Sequence, residues 1–352
     1  MQEQINIQKY LDYILDKTQK ILTIDSPSGF TKKAANYIME EYAALGYTPT
    51  QTTKGGILCE ISSNTNAQQN NALIMEAHID TLGAMVCAIN PNGCLALSPI
   101  GGMNANNAEA ENCRVYTREG KSYTGTFQLC DASIHVNNKF DETSRSFDVM
   151  EVVLDENVKT KEDTLSLGIL PGDFVCFDPR TIITNSGYIK SRFLDDKLSV
   201  GILLGFAKYV KEENISLSRK VYHHITVYEE VGHGGAASIP SDVSEVLSVD
   251  MGCVGNSLSC TEHQVSICAK DSRGPYNYEV VSNLIAAAKH QNLDFAVDVY
   301  PHYGSDADVA LTAGHDIKHG LIGAGVYASH GYERSHIDGV RNTFLLLTEY
   351  AK

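Results

Sequence analysis

The sequence has no tryptophan, no Cys-x-x-Cys pair and no long apolar run. Without indole rings it lacks the broad aromatic platform that commonly stacks on sugars. The apolar stretch Val200–Phe206 is far short of the roughly 20 residues that span a bilayer. Nine cysteines, an odd number with no metal-knuckle spacing, suit scattered reduced thiols better than a disulfide framework. Basic residues are scarce too: 28 Lys and Arg face 43 Asp and Glu, for a formal charge of −15. A surface that acidic repels phosphate backbones and anionic lipid, so nucleic-acid and membrane partners are not expected. The opening MQEQINIQKYLDYILDK has no basic stretch leading into an apolar one, so a cytoplasmic location is the expectation.

What is present is ordinary globular composition, 43% hydrophobic and 20% charged, in a chain of 352 residues. That length suits about two domains. Helical spacing of apolar residues predicts helices over 5–22 and, after the turn Asp25-Ser26-Pro27-Ser28-Gly29, from Thr31 as N-cap to Leu45. Strands are expected over 55–61 and 72–79. After residue 190, helical patterns over 195–212, 277–290, 306–313 and 339–351 interleave with strands over 221–227, 246–249, 295–300 and 321–327. This predicts an α/β fold, a mixed sheet with helices on both faces. The region 91–185 is different, with short β-prone pieces between Gly, Asn, Thr and Ser turns and no amphipathic helix. The expected organisation is therefore an α/β domain over 1–90 and 186–352, interrupted by a small all-β, barrel-like domain over 91–185.

Four groups combine histidine with carboxylates at predicted strand ends, where open α/β sheets bind ligands. Glu76-Ala77-His78-Ile79-Asp80 closes one strand; side chains two apart share a face, so Asp80 is placed to orient the His78 ring. Asp195-Asp196-Lys197 opens a helix. Glu229-Glu230-Val231-Gly232-His233-Gly234-Gly235 follows a buried strand, where unpaired carboxylates are costly and diverging neighbours can take different roles. Asp250 ends the run Val246–Val249, and His336 follows Tyr332-Glu333-Arg334-Ser335, with His330 and His302 as competitors. Singly, each group has a structural reading: a histidine beside a turn, a helix cap, a solvated strand end. Together, two histidines and three carboxylates are the inventory of a paired metal centre with mixed N and O ligands, suited to Zn²⁺, Co²⁺ or Mn²⁺.

These motifs resemble the glutamyl/deblocking (tetrahedral) aminopeptidases, dizinc metallopeptidases among which some relatives carry an endoglucanase label. Ser26-Pro27-Ser28-Gly29-Phe30, Ala77-His78-Ile79-Asp80, Gly168–Asp173, Leu194-Asp195-Asp196-Lys197, Tyr228–Gly232 and Tyr303–Ala307 are similar to successive motifs of that family over nearly the whole chain. The resemblance implies a cytoplasmic aminopeptidase that hydrolyses N-terminal residues from peptides, with a water shared by two metal ions as nucleophile. It implies that His78, Asp195 and Asp250 hold one ion and that Asp195, Glu230 and His336 hold the other. Glu229 would then be the general base, Asp80 would orient His78, and the Asp195–Asp196 peptide would be cis. Two Zn²⁺ or Co²⁺ ions per subunit, with Mn²⁺ as a third choice, and a dodecameric homo-oligomer held by the inserted domain complete the expectation. Lys197 stands where the family has Arg, and a planar guanidinium fork is lost there.

Three other readings remain. A glycoside hydrolase needs two carboxyl groups on opposite sides of the bond, roughly 5–9.5 Å apart, and no such pair stands out. A deacylase or amidohydrolase could use the same two metals. A non-catalytic scaffold keeping the fold predicts missing ligands, yet every candidate position is filled.

Overall fold

The computed structural model describes residues 6–62 and 71–352. The N-terminal end of the first expected helix, at residue 5, lies outside the described residues. The chain divides into two compact units, one of residues 1–80, 180–329 and 333–352, the other of residues 81–179 and 330–332.

The larger unit is built on a mixed sheet of thirteen strands among the described residues. Its centre runs Ile57–Ser62, Val221–Thr226, Ala72–His78, Val243–Val249 and Lys318–Tyr327. The last four are mutually parallel, as continuous apolar runs covered on both faces require. Ala72–His78 is buried at every position. Val265–Asp271 joins antiparallel to Lys318–Tyr327, an element the sequence pattern did not single out. The expected helices appear at Ile7–Leu22, Lys32–Ala44, Tyr278–His290, Asp306–Thr312 and Ile337–Tyr350. Thr31 precedes its helix without a side-chain capping bond, contrary to expectation.

Leu194–Glu212 is the central helix, and its first fourteen residues are all buried. Amphipathic patterning suggested one apolar side. The structure instead covers it with the strand Ala72–His78 and the helices Ile7–Leu22 and Ile337–Tyr350. Close approach depends on Gly201 and Gly205. A Cβ at Gly201 would lie 2.1 Å from Thr18 Oγ1 and 3.2 Å from the Ile14 carbonyl, and one at Gly205 would lie 2.3 Å from Ile14 Cγ1.

The smaller unit is a closed barrel of Gly83–Ile89, Leu95–Ile100, Met150–Leu154, Ser122–Leu129, Glu111–Tyr116 and Phe174–Phe177. Phe127, Phe177, Val115, Val152 and Val175 fill it and are fully buried. Its limits differ from the expected 91–185. It starts about ten residues earlier because Gly83–Ile89 pairs with Leu95–Ile100 and Phe174–Phe177. It ends earlier because Ile182–Ile183 pairs with Tyr188–Ser191 of the main sheet. It also contains a short helix, Lys161–Ser166, started by a Thr160/Asp163 capping box that the sequence reading overlooked. No helix among the described residues is long and apolar enough to cross a membrane.

Replacing Gly201 by Leu should overpack the contact with the first helix and lower stability by about 1–3 kcal/mol. The expected readout is a lower urea midpoint with an unchanged slope.

Candidate metal centre

Parallel register brings the candidate residues together. Thr226 lies beside His78, and Ser248 beside Glu76, so the carboxyl ends of three neighbouring strands fall at one edge. That edge carries His78–Asp80, Tyr228–Glu230 and Asp250. Asp195 arrives from the turn that opens the central helix, where its dihedrals and those of Asp196 depart from helical values and the peptide between them is cis, as expected.

His78 is buried and central. Its Nε2 lies 3.1 Å from Asp195 Oδ1 and 3.6 Å from a Glu229 carboxylate oxygen. Its backbone N–H donates to Asp196 Oδ2 at 3.1 Å. Single donor atoms of His78, Asp195 and Asp250 all lie within 4.8 Å of one another. Asp250 Oδ1 accepts from the Met251 N–H at 2.6 Å, and Asp195 N–H donates to Glu333 Oε2 at 3.1 Å.

Asp80 holds its neighbours differently from the simple strand picture. The strand ends at His78, and it is the Asp80 carbonyl that accepts from His78 Nδ1, at 2.9 Å. Its carboxylate turns toward the glutamates, accepting from the Glu229 N–H at 3.1 Å and the Glu230 N–H at 3.4 Å. Ser28 donates to the same carboxylate, and Ser26 to the Ile79 carbonyl. The Ser-Pro-Ser-Gly turn thus clamps the chain beyond His78.

Glu229 and Glu230 sit in a single 3-10 turn. The glycines that follow are explained by Asp306, which the sequence placed only in a family-like loop. A Cβ at Gly234 would lie 2.0 Å from Asp306 Oδ1, and one at Gly235 2.3 Å from the Asp306 carbonyl. Asp306 accepts from the Gly235 N–H at 2.7 Å and from Thr226, tying this turn to the strand end. Glu333 and Asp306 are the supporting residues that sequence reasoning missed. Their only local signal is a buried carboxylate next to a strand or helix end.

Not every candidate joins the cluster. The structure does not bring His336 to His78 and Asp195. Its Nε2 is 2.8 Å from the Ser186 carbonyl, its Nδ1 accepts from the Asp338 N–H, and its nearest ring is His263. His336 caps the helix Ile337–Tyr350, so its side chain faces that helix's first turn. His330 groups with the barrel unit, with its Nδ1 3.3 Å from the Gly102 carbonyl. His302 and His233 are exposed. Lys197 is buried and donates to the Ile24 carbonyl at 2.6 Å, a bond one ammonium makes without the fork of Arg.

The charges do not balance within the chain. Burial, reinforced by Asp195, raises the Asp250 carboxyl to about 7, while His78 opposes the shift. Burial likewise holds Glu229, Glu230 and Asp196 well above the usual carboxylate range, with neighbouring carboxylates adding to it. On His78 burial acts in the opposite sense, though the net shift is also upward. Burial alone would lower its pKa, but Glu229, Asp195, Asp250 and Asp196 raise it well above the ordinary imidazole value. Asp196 Oδ1 is buried without a hydrogen-bond partner. A donor set of carboxylates and imidazole with this surplus of negative charge fits divalent cations.

The sequence profile of the M42 glutamyl aminopeptidase family matches residues 55–346. This chain belongs to that family. YhfE of Bacillus subtilis, provisionally named an aminopeptidase, is 41% identical over 338 residues, which are 96% of this chain and 97% of YhfE. The solved TET aminopeptidase of a marine-sediment Thaumarchaeota archaeon superposes with a TM-score of 0.87 at 17% identity, over 97% of this chain and 96% of that one. The TET1 peptidase of Pyrococcus horikoshii, whose structure is described as assembling into a tetrahedron or a large octahedral shell, has a TM-score of 0.83 at 20% identity, over 96% of this chain and 99% of its own. As an M42 member the chain is a peptide hydrolase with aminopeptidase function.

A pH dependence follows for the cation-free M42 protein. The folded Asp250 carboxyl keeps its proton to about 7, whereas an unfolded one loses it near about 3.9. The folded state therefore binds more protons between these values. This stabilisation is complete at low pH and is lost as pH rises through 7. Chelated protein should melt at a lower temperature at about pH 8 than at about pH 5, and divalent cation should abolish the difference.

Proposed function

We propose that this chain removes N-terminal residues from peptides using two divalent cations, Zn²⁺ or Co²⁺. One is held by His78, Asp195 and Asp250, the other by Asp195, Glu230 and His330. The observation that carries the reading is the convergence of His78, Asp195 and Asp250 donors within 4.8 Å in a buried pocket of surplus carboxylates. His330 replaces His336 in this assignment for two reasons. His336 faces Ser186, Asp338 and His263 instead of Asp195. His330 is the competitor that the sequence offered for the same place.

When bound, the cations supply an activated water and polarise the scissile carbonyl. Glu229 takes the proton of that water and delivers one to the departing amine. Burial suits it to carry that proton. Asp80 is a positioning residue: its carboxylate fixes the Glu229 backbone and its carbonyl fixes the His78 tautomer. The surplus negative charge favours a substrate with a free α-ammonium at the scissile end, which makes the reaction exopeptidolytic. The TET-like neighbours, one described as a dodecamer and one as assembling into a tetrahedron or a large octahedral shell, support a homo-oligomer, which we propose to be a tetrahedral dodecamer with the barrel unit as the contact.

Glu229→Gln should lower kcat by about 10²–10⁴-fold on aminoacyl chromogenic substrates, with metal content unchanged by elemental analysis. Asp195→Asn should instead lose bound metal. Wild-type turnover in the first variant, or full metal in the second, would overturn the assignment. His330→Ala should likewise reduce metal content and activity, while His336→Ala should leave turnover near wild type. The reverse pattern would restore His336 as ligand.

A further inference from the structure

His336 belongs to a different constellation, one that shares no residue with the centre above. Its Nε2 lies 2.8 Å from the Ser186 carbonyl, which can only accept, so the ring hydrogen sits on Nε2. Nδ1 then presents its one lone pair toward Asp338, whose N–H it accepts at 3.1 Å, a bond that a cation at that nitrogen would replace. The Asp338 carboxylate oxygen Oδ2 faces that same nitrogen at 3.1 Å, and His263 Nδ1 at 2.9 Å. The two imidazole rings lie 4.0 Å apart, tilted by 33°. Tyr188 Oη is 3.3 Å from His263 Nε2, and Asn342 holds the His263 carbonyl at 2.9 Å. Donor atoms of His263, His336 and Asp338 all fall within 4.8 Å of one another.

A lone pair facing a carboxylate oxygen at such a distance is repulsive unless positive charge lies between them. A proton can supply it, and so can a metal ion. Several features favour the ion. The Ser186 carbonyl fixes the tautomer of His336 as outer hydrogen bonds fix metal-ligating histidines. The rest of the set, a second imidazole and a carboxylate, suits Zn²⁺ and its neighbours rather than Ca²⁺ or Mg²⁺. Burial is graded, with the His336 side chain 8% exposed, His263 39% and Asp338 53%, so the group opens toward solvent on one side. That opening leaves room for water as a further ligand.

We infer that His263, His336 and Asp338 form an accessory site for one divalent transition-metal ion of the zinc class. The ion would join the turn before Val265–Asp271 to the start of the helix Ile337–Tyr350. The site takes no part in hydrolysis.

The test compares the full-length protein with a His263→Ala/Asp338→Ala double variant, each equilibrated with a series of Zn²⁺ concentrations at neutral pH. Elemental analysis should find about one zinc ion per chain more in the wild type at saturation, with aminopeptidase turnover equal in the two. Because the comparison is a difference, it does not depend on how many ions the hydrolytic centre holds. Crystals of the wild type soaked in Zn²⁺ should show an anomalous peak about 2.0–2.2 Å from both Nδ1 atoms and an Asp338 oxygen. Equal zinc content in the two proteins, or a soaked crystal without that peak, would overturn the proposal. The soak decides the matter if the double variant fails to fold.

Discussion

Buried negative charge without an equal buried positive charge is the constraint on which this structure turns. Asp80, Asp195, Asp196 and Asp250 are buried around His78, with Glu229 and Glu230 beside them. One imidazole cannot neutralise such a group, and the low dielectric of the interior magnifies each repulsion. The chain accommodates the surplus in two ways. It spreads hydrogen bonds over the carboxylates, from the backbone N–H groups of His78, Glu229, Glu230 and Met251, from Asp195 N–H to Glu333, and from Ser28. It also keeps several of these acids well above their ordinary pKa, a state that bound cations would reverse.

The scaffold holds that group from two sides. Parallel strands end together, so residues distant in sequence meet at one edge without long loops. The largely buried helix that starts at the Asp195 turn anchors the other side, pressed close to the first helix through Gly201 and Gly205. Asp306 shows the same economy. One carboxylate fixes the glycine turn after Glu230 and the end of Val221–Thr226, and the missing Cβ atoms at Gly234 and Gly235 make the space it occupies.

The two histidines near the C-terminus illustrate how little a sequence says about direction. His330 and His336 are six residues apart, the first before the short strand Glu333–His336 and the second its last residue. His336 ends that strand and caps a helix, a position whose backbone N–H groups claim the side chain. No local pattern distinguishes such a cap from a ligand.

Much was legible in the order of residues alone. Apolar periodicity located the central strands and most helices. The His78, Asp195, Glu229, Glu230 and Asp250 motifs were visible because carboxylates directly after buried β-branched strands are costly unless something binds them. The β-rich insertion was visible from its turns, because φ-permissive residues mark chain reversals. What only the tertiary structure decided was which groups share space. The barrel's first strand, the split allegiance of Asp80 between carbonyl and carboxylate, the support given by Asp306 and Glu333, and the pairing of His336 with His263 all depend on contacts between residues far apart in the chain. Those contacts are set by sheet register and helix packing, and neither leaves a local trace in composition or periodicity.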